Sequence, residues 1–194
     1  MWYEARYPLE ARIEQADIVC FIGGHDISPA LYQEKLGPKM HKFSVDAHTD
    51  DRDIAAWKKT RADQIKVGIC RGGQFLNVMN GGKMIQHVDN HTIEHEMFDT
   101  LLGSPEPVTV TSSHHQMMVP AESAEIIAYS ENRITECYGQ NGPITKPAVE
   151  PEVLWYDNTR SLCFQPHPEW EVRAVGKSKS ECRDYFFNIF DMLR

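Results

Sequence analysis

Cys70 stands in Lys66-Val67-Gly68-Ile69-Cys70-Arg71-Gly72-Gly73-Gln74-Phe75-Leu76, an apolar run that breaks on a cysteine and resumes with helix-like spacing. Gly68-x-Cys70-x-Gly72 has the spacing of a nucleophile elbow, in which a strand turns sharply into a helix and leaves the turn residue exposed at a sheet edge. The glycines answer a steric need, because a side chain two residues to either side would meet the neighbouring strand or helix. At a helix N-terminus, unpaired N–H groups and the macrodipole favour negative charge on the sulfur, as nucleophilic attack requires. The same pentapeptide also suits a small buried cysteine before a glycine-rich loop. What separates the two readings is whether the rest of the chain supplies a base.

A cysteine nucleophile needs a group to take its proton and a second group to orient that base. Gln165-Pro166-His167-Pro168-Glu169 offers both. It follows the apolar run Leu162 to Gln165, so His167 should emerge at a strand end as Cys70 does, and the two prolines stiffen the loop between His167 and Glu169. Cys-His-Glu is then a triad recognised by role rather than by neighbourhood in sequence.

The elements that must hold these residues read as alternating strands and helices. Asp17 is followed by Ile18 to Ile22, a continuous apolar run that reads as a strand buried on both faces and ends at Gly23-Gly24. The Gly-Gly turn leaves backbone N–H groups facing the crevice beyond the strand end, where ligands bind in open α/β sheets. A charged, helical lead-in is expected over Leu9 to Gln15, and a polar helix over Asp50 to Gln64, with Ile54 and Trp57 inward. Phe75, Leu76 and Met79 mark the buried face of the helix after Cys70, stopped by Asn80-Gly81-Gly82. Shorter strand-like runs follow at Lys83 to Gln86, Pro107 to Thr111, Glu125 to Tyr129, Ile134 to Tyr138, Val153 to Tyr156 and Leu162 to Gln165. A last helix is expected from about Lys179, with Ser178 and Glu181 at capping-box spacing and Cys182, Phe186, Ile189, Phe190 and Leu193 on one face.

Composition narrows the classes. The 194 residues suffice for one well-buried domain, 1–194, without a Pro/Gly/Ser-rich linker. Lys and Arg number 20 against 28 Asp and Glu, a formal charge of -8, which argues against nucleic acid or an anionic membrane as partner. No apolar run approaches the ~20 residues of a membrane span, and Met1 to Pro8 does not resemble a signal peptide, so a cytoplasmic protein is expected. The five cysteines, Cys20, Cys70, Cys137, Cys163 and Cys182, contain no C-x-x-C pair, which argues against a disulfide framework or thiolate zinc; all but Cys70 are expected in the core. His87, His91 and His95 recur every four residues, a spacing that would suit zinc or nickel on one helix face. The segment does not read as a helix, so these histidines are assigned to a substrate pocket or loop, and no metal or cofactor is expected.

Four motifs in order, Gly23-Gly24-His25-Asp26, Gly68-Ile69-Cys70-Arg71-Gly72-Gly73-Gln74, Ser112-Ser113-His114-His115-Gln116 and Gln165-Pro166-His167-Pro168-Glu169-Trp170, resemble the class I glutamine amidotransferase-like superfamily. The Ser-x-His-Gln-like segment points to its gamma-glutamyl hydrolase-like branch. The resemblance implies a flavodoxin-like α/β domain, its sheet mostly parallel and flanked by helices, with additional short strands. It implies attack by Cys70 on a γ-glutamyl amide carbon, with His167 as base and then acid, Glu169 orienting it, and an oxyanion hole from the N–H groups of Arg71 and Gly24. Gln74, Ser113 and His114 fall where the family contacts the glutamyl portion, while the Arg71 side chain is read as surface or structural. The family has a further strand and helix before the equivalent of Asp17. Met1 to Pro8 would be its second strand and the customary first strand would be missing, unless another segment covers that part of the sheet. The implied substrate is glutamine, with ammonia passed to a separate synthetase subunit, or a γ-glutamyl peptide or amine hydrolysed without a partner. A scaffold that keeps the fold without catalysis is a third reading, against which the joint presence of Cys70, His167 and Glu169 speaks.

Overall fold

The computed structural model describes residues 12–40 and 44–194. In chain order the strands and helices are β1 (Ile18–Phe21), α1 (Ala47–Trp57), β2 (Ile65–Ile69), α2 (Arg71–Met79), β3 (Lys83–Ile85), β4 (His87–Val88), β5 (His95–Asp99), β6 (Val108–Val110), β7 (Met117–Val119), β8 (Glu125–Ser130), β9 (Cys137–Gly139), β10 (Gly142–Pro143), β11 (Glu150–Tyr156), β12 (Ser161–Phe164) and α3 (Glu181–Leu193). Seven strands form one sheet in the order β1-β2-β12-β11-β8-β5-β6, and two small sheets, β10-β9-β4 and β3-β7, stand beside it. This is the expected α/β architecture with additional short strands. The parallel part is the half that carries Cys70: β2 runs parallel to β1 and to β12, whereas the joins from β12 through β11, β8 and β5 to β6 are antiparallel. Tight connections such as the turn between β11 and β12 reverse the chain, and a reversed neighbour can only pair antiparallel.

Period-2 alternation divides the sheet's side chains between two cores. Val153 and Trp155 of β11 and Leu162 and Phe164 of β12 join Cys182, Phe186, Ile189 and Phe190 of α3 on one face. Leu154, Tyr156 and Cys163 face the other way, against Phe75 and Leu76 of α2 with Ile54 and Trp57 of α1 alongside. Helices therefore cover both faces, and β2 between them is buried at every residue. Lys66 is tolerated there because its Nζ donates to the carbonyls of Arg61, Gln64 and Thr159 at 2.6, 3.0 and 2.9 Å.

Several boundaries differ from the sequence reading. β1 alternates between exposed and buried instead of being buried on both faces, and Cys20 is exposed rather than in the core. The helix expected over Asp50 to Gln64 is α1, three residues earlier at its start because Asp46 accepts the His48 N–H at 3.0 Å as N-cap. It ends at Trp57, and Gln64 instead turns inward to donate to the carbonyls of Ile13 and Ala16, both at 2.6 Å. The lead-in contains only a short 3-10 turn, Ile13–Gln15. The capping box at Ser178 and Glu181 does not form; Ser180 is the cap, and its hydroxyl donates to Asp184 at 2.5 Å. Met1 to Pro8, read as a strand, lies outside the described residues. Among the described residues no helix is long and apolar enough to cross a membrane.

Candidate active site

β2 and β12 are parallel neighbours with Ile69 opposite Phe164, so the residues that follow them leave the sheet at the same edge. Cys70 follows β2 at once, with φ 51° and ψ -113°. A positive φ at a residue with a Cβ is worth roughly 1–3 kcal/mol of strain and persists only where the surroundings hold it. Here the Cys70 N–H donates to the Phe164 carbonyl at 2.8 Å and the Cys70 carbonyl accepts from Gln74 at 3.1 Å. The elbow glycines have the role read from their spacing. A Cβ on Gly72 would lie 1.9 Å from the Phe21 carbonyl oxygen, and one on Gly68 2.3 Å from that of Gly72.

His167 is nearly buried beside this elbow. Its N–H donates to the Thr111 carbonyl at 3.0 Å, and Nδ1 lies 2.7 Å from Glu169 Oε1. Cys70 sits beside the ring, and Ser113 Oγ lies 3.2 Å from His167 Nε2. Burial opposes a charge on the ring, but the contacts with Cys70 and Glu169 and the charges of both outweigh it and raise the pKa from the ordinary 6.5 to about 9. The ring also stacks on Trp170, centroids 3.8 Å apart and planes 5° from parallel. Trp170 closes the fourth sequence motif. Its position three residues after His167 was the available signal.

The Arg71 side chain is structural, and deeply so. It is 2% exposed, paired with Asp50 at 2.5 Å and bonded to Asp53, so it ties the start of α2 to α1. Asp50 also accepts the Ser28 N–H at 3.0 Å, extending the tie to the loop after Gly23-Gly24. Among the described residues, no backbone carbonyl takes the N–H of Gly24 or of Arg71. Gly23 lies against both Cys70 and His167, since a Cβ there would be 3.4 Å from His167 Cε1 and 3.7 Å from Cys70 Cβ.

Cys70, His167, Glu169 and Ser113 are therefore brought together, with the Gly23-Gly24 turn beside them. Gln74 is buried, its Nε2 donating to Gln165 Oε1 at 3.1 Å. His114, expected beside the substrate, is turned away from His167: its ring is enclosed, with Nδ1 donating to the Gln116 carbonyl at 2.8 Å and Nε2 facing Glu152. Ser113 is exposed where its neighbour His114 is buried, so the two face different sides. The three histidines at four-residue spacing separate as well. His87 lies on β4 with its ring near His115 and Tyr138, whereas His91 and His95 converge on His114 and Glu152. His115 bonds Asp26 at 3.1 Å, joining the first and third motifs.

Comparison with known proteins finds relatives in sequence and in fold. The protein NtpR of Enterococcus hirae is 29% identical over 147 residues, covering 65% of this chain and 61% of NtpR. The glutamine amidotransferase-like protein YvdE of Lactococcus lactis subsp. lactis is 31% identical over 183 residues, covering 83% of this chain and 70% of YvdE. The chain thus spans less than two thirds of the length of the first of these relatives. Among solved structures, a glutamine amidotransferase from Thermotoga maritima superposes with a TM-score of 0.53 at 16% identity, over 95% of this chain and 69% of that one. PurLQS from Thermotoga maritima gives 0.54 at 14%, over 96% and 84%. At such identities these two attest the fold alone. The family model described as Peptidase C26 matches residues 3–145, well over half of the sequence. With that match and the YvdE relationship, the chain belongs to the peptidase C26 family of the class I glutamine amidotransferase-like superfamily.

Proposed function

We propose that the chain, acting as one glutaminase-like domain over 1–194, cleaves a γ-glutamyl amide bond through Cys70, with glutamine as substrate and ammonia passed to a separate synthetase subunit. The observation that carries this reading is the convergence of Cys70, His167 and Glu169 at one sheet edge, with His167 Nδ1 2.7 Å from Glu169 Oε1. Glu169 accepts the Nδ1–H and Nε2 holds the proton that the thiol gives up, a transfer that the raised pKa of His167 favours before attack. The sulfur attacks the amide carbon, and the oxyanion meets the N–H groups of Arg71 and Gly24, donors of a kind worth about 2.7–4 kcal/mol each. His167 returns the proton to the departing nitrogen, the C–N bond breaks, and ammonia leaves a thioester on Cys70. Water, deprotonated by His167, then attacks the thioester carbonyl; glutamate departs and the thiol is restored. Gln74 and Ser113 are the residues assigned to the glutamyl portion. All five cysteines are free thiols, which suits a reducing cytoplasm.

The relatives named glutamine amidotransferase-like favour glutamine. The family's own description as a peptidase favours a second reading, hydrolysis of γ-glutamyl peptides without a partner. Two measurements decide. A diazo-ketone analogue of glutamine should label Cys70 and spare the exposed Cys20, read by peptide mass spectrometry; label on Cys20 in place of Cys70 would remove the proposed nucleophile. Glutamate release should be seen with glutamine and should rise when the synthetase partner is added. Rapid cleavage of γ-glutamyl peptides with glutamine ignored would establish the second reading.

A further inference from the structure

We propose that His91, His95, His114 and Glu152 form a closed site for one divalent first-row cation that prefers imidazole, with zinc the best fit. One ring nitrogen from each histidine and a carboxylate oxygen lie within 4.8 Å of one another, and the four residues are 0, 3, 4 and 0% exposed. Each histidine spends its other nitrogen outside the cluster. His91 Nε2–H donates to Glu150 at 3.0 Å, His95 Nδ1–H to the Ile93 carbonyl at 3.0 Å, and His114 Nδ1–H to the Gln116 carbonyl at 2.8 Å. Such outer bonds fix the tautomer and orient the ring in metal-ligating histidines. The nitrogens left facing inward are His91 Nδ1, His95 Nε2 and His114 Nε2.

These three surround the carboxylate, with His91 Nδ1 3.2 Å and His95 Nε2 2.9 Å from Glu152 Oε1 and His114 Nε2 3.5 Å from Oε2. Lone pairs set against a carboxylate repel unless a proton or cation lies between them. A proton on His95 answers one contact, yet His91 Nδ1, His114 Nε2 and Glu152 Oε2 still have no hydrogen-bond partner although all are buried. Protein interiors seldom leave even one such atom unsatisfied, and here there are three in one place. A single cation would satisfy them together. Tetrahedral zinc with bonds of ~2.0–2.1 Å sets its ligand atoms about 3.3 Å apart, within the range of the three contacts above. Three neutral imidazoles and one carboxylate leave one positive charge on the site, which Glu150, bonded to His91, offsets. Four protein ligands without an open position are the mark of a structural rather than a catalytic ion.

The ion would fasten the segment that supports the candidate active site. Thr111 accepts the His167 N–H, Ser112 Oγ donates to the His91 carbonyl, Ser113 touches His167, and His114 enters the cluster. A cleft of about 590 Å³ lined by residues including Glu94, His95, Arg133 and Lys177 brings solvent to the strand that carries His95.

The test uses the untagged full chain, measured as purified and again after chelator dialysis and titration with Zn²⁺ or Co²⁺. One equivalent of metal by elemental analysis, with the visible absorption of four-coordinate Co²⁺, is expected, and zinc should raise the melting temperature of the dialysed protein. Glu150→Gln, which keeps all four ligands, should weaken binding by about 10–100-fold. The pair His91→Leu with His114→Leu should abolish it. If that pair does not fold, the wild-type titration and Glu150→Gln still decide. Failure of the wild type to take up a stoichiometric ion, or undiminished binding in the double variant, would overturn the proposal.

Discussion

Two centres in this molecule place histidine against a buried or half-buried glutamate, and they are built to opposite ends. At the edge of the parallel half, His167 lies between Glu169 and Cys70, with Glu169 31% and Trp170 44% exposed, so the centre opens toward solvent. In the antiparallel half, His91, His95 and His114 enclose Glu152 with no thiol among them and almost no exposure. The difference teaches that an imidazole–carboxylate pair has no fixed chemistry. With one imidazole, a thiol beside it and access from solvent, the pair is set out as the proposed proton transfer requires. With three imidazoles around one carboxylate in a sealed interior, the same groups leave buried atoms without a partner, the setting for a bound cation proposed above.

The sharpest way to break that contrast is to remove the imidazole from the open centre. His167→Ala should lower glutamate release by ~10⁴-fold or more, because a triad without its base keeps only binding and oxyanion stabilisation. Single-turnover glutamate release checks this, and retention of most activity would show that His167 is not the base. In the sealed centre the matching change acts on folding. Glu152→Leu removes the acceptor of His95 and Ser130 and should cost about 3–5 kcal/mol, read as a fall in the urea midpoint. An unchanged midpoint would place both centres in the same class.

Glu169→Gln should have an intermediate effect, about 10²-fold on turnover, since it orients and stabilises the charged ring without moving a proton itself. It should also move the His167 titration, followed by NMR, from about 9 toward 6.5. Because the folded-state pKa is raised, protonated His167 contributes stability that is complete below pH 6.5 and is lost as the pH rises through about 9. The wild-type urea midpoint should therefore fall between pH 6.5 and pH 9 more steeply than that of Glu169→Gln. The smallest effect is expected from Trp170→Ala. Loss of an exposed stacking partner is worth about 0.5–1.5 kcal/mol, a change of roughly 2- to 12-fold in turnover if the stack holds the ring in its reactive orientation.

Local patterns were enough to reveal the elbow, the His-Pro-Glu loop and most strands of the main sheet. In these the physical cause is short-range: glycines that admit close backbone approach, prolines that set a loop, and apolar runs that must be buried. Where the reading failed, the deciding partner lay far along the chain. Gln64 leaves the helix to reach Ile13 and Ala16, 51 and 48 residues back. β5 and β7 were not seen as strands, because His95-Glu96-Met97-Phe98-Asp99 and the three residues Met117–Val119 show little of a strand's pattern until a neighbour pairs with them.

By itself the sequence determined the class of fold and the fact that Cys70 and His167 each follow a strand. Those depend on residues a few positions apart, whose sterics and hydrogen bonding are settled by covalent connection. Only the tertiary structure decided which histidines meet. His95 on β5 and Glu152 on β11 are joined by His91 and His114 from the connections beside them, whereas the four-residue spacing of His87, His91 and His95 gave no sign of His114 or Glu152. Strand pairing, driven by burial of the apolar faces on both sides of the sheet, carries these polar groups inward together, and side-chain spacing along the chain cannot report a neighbour supplied by another strand.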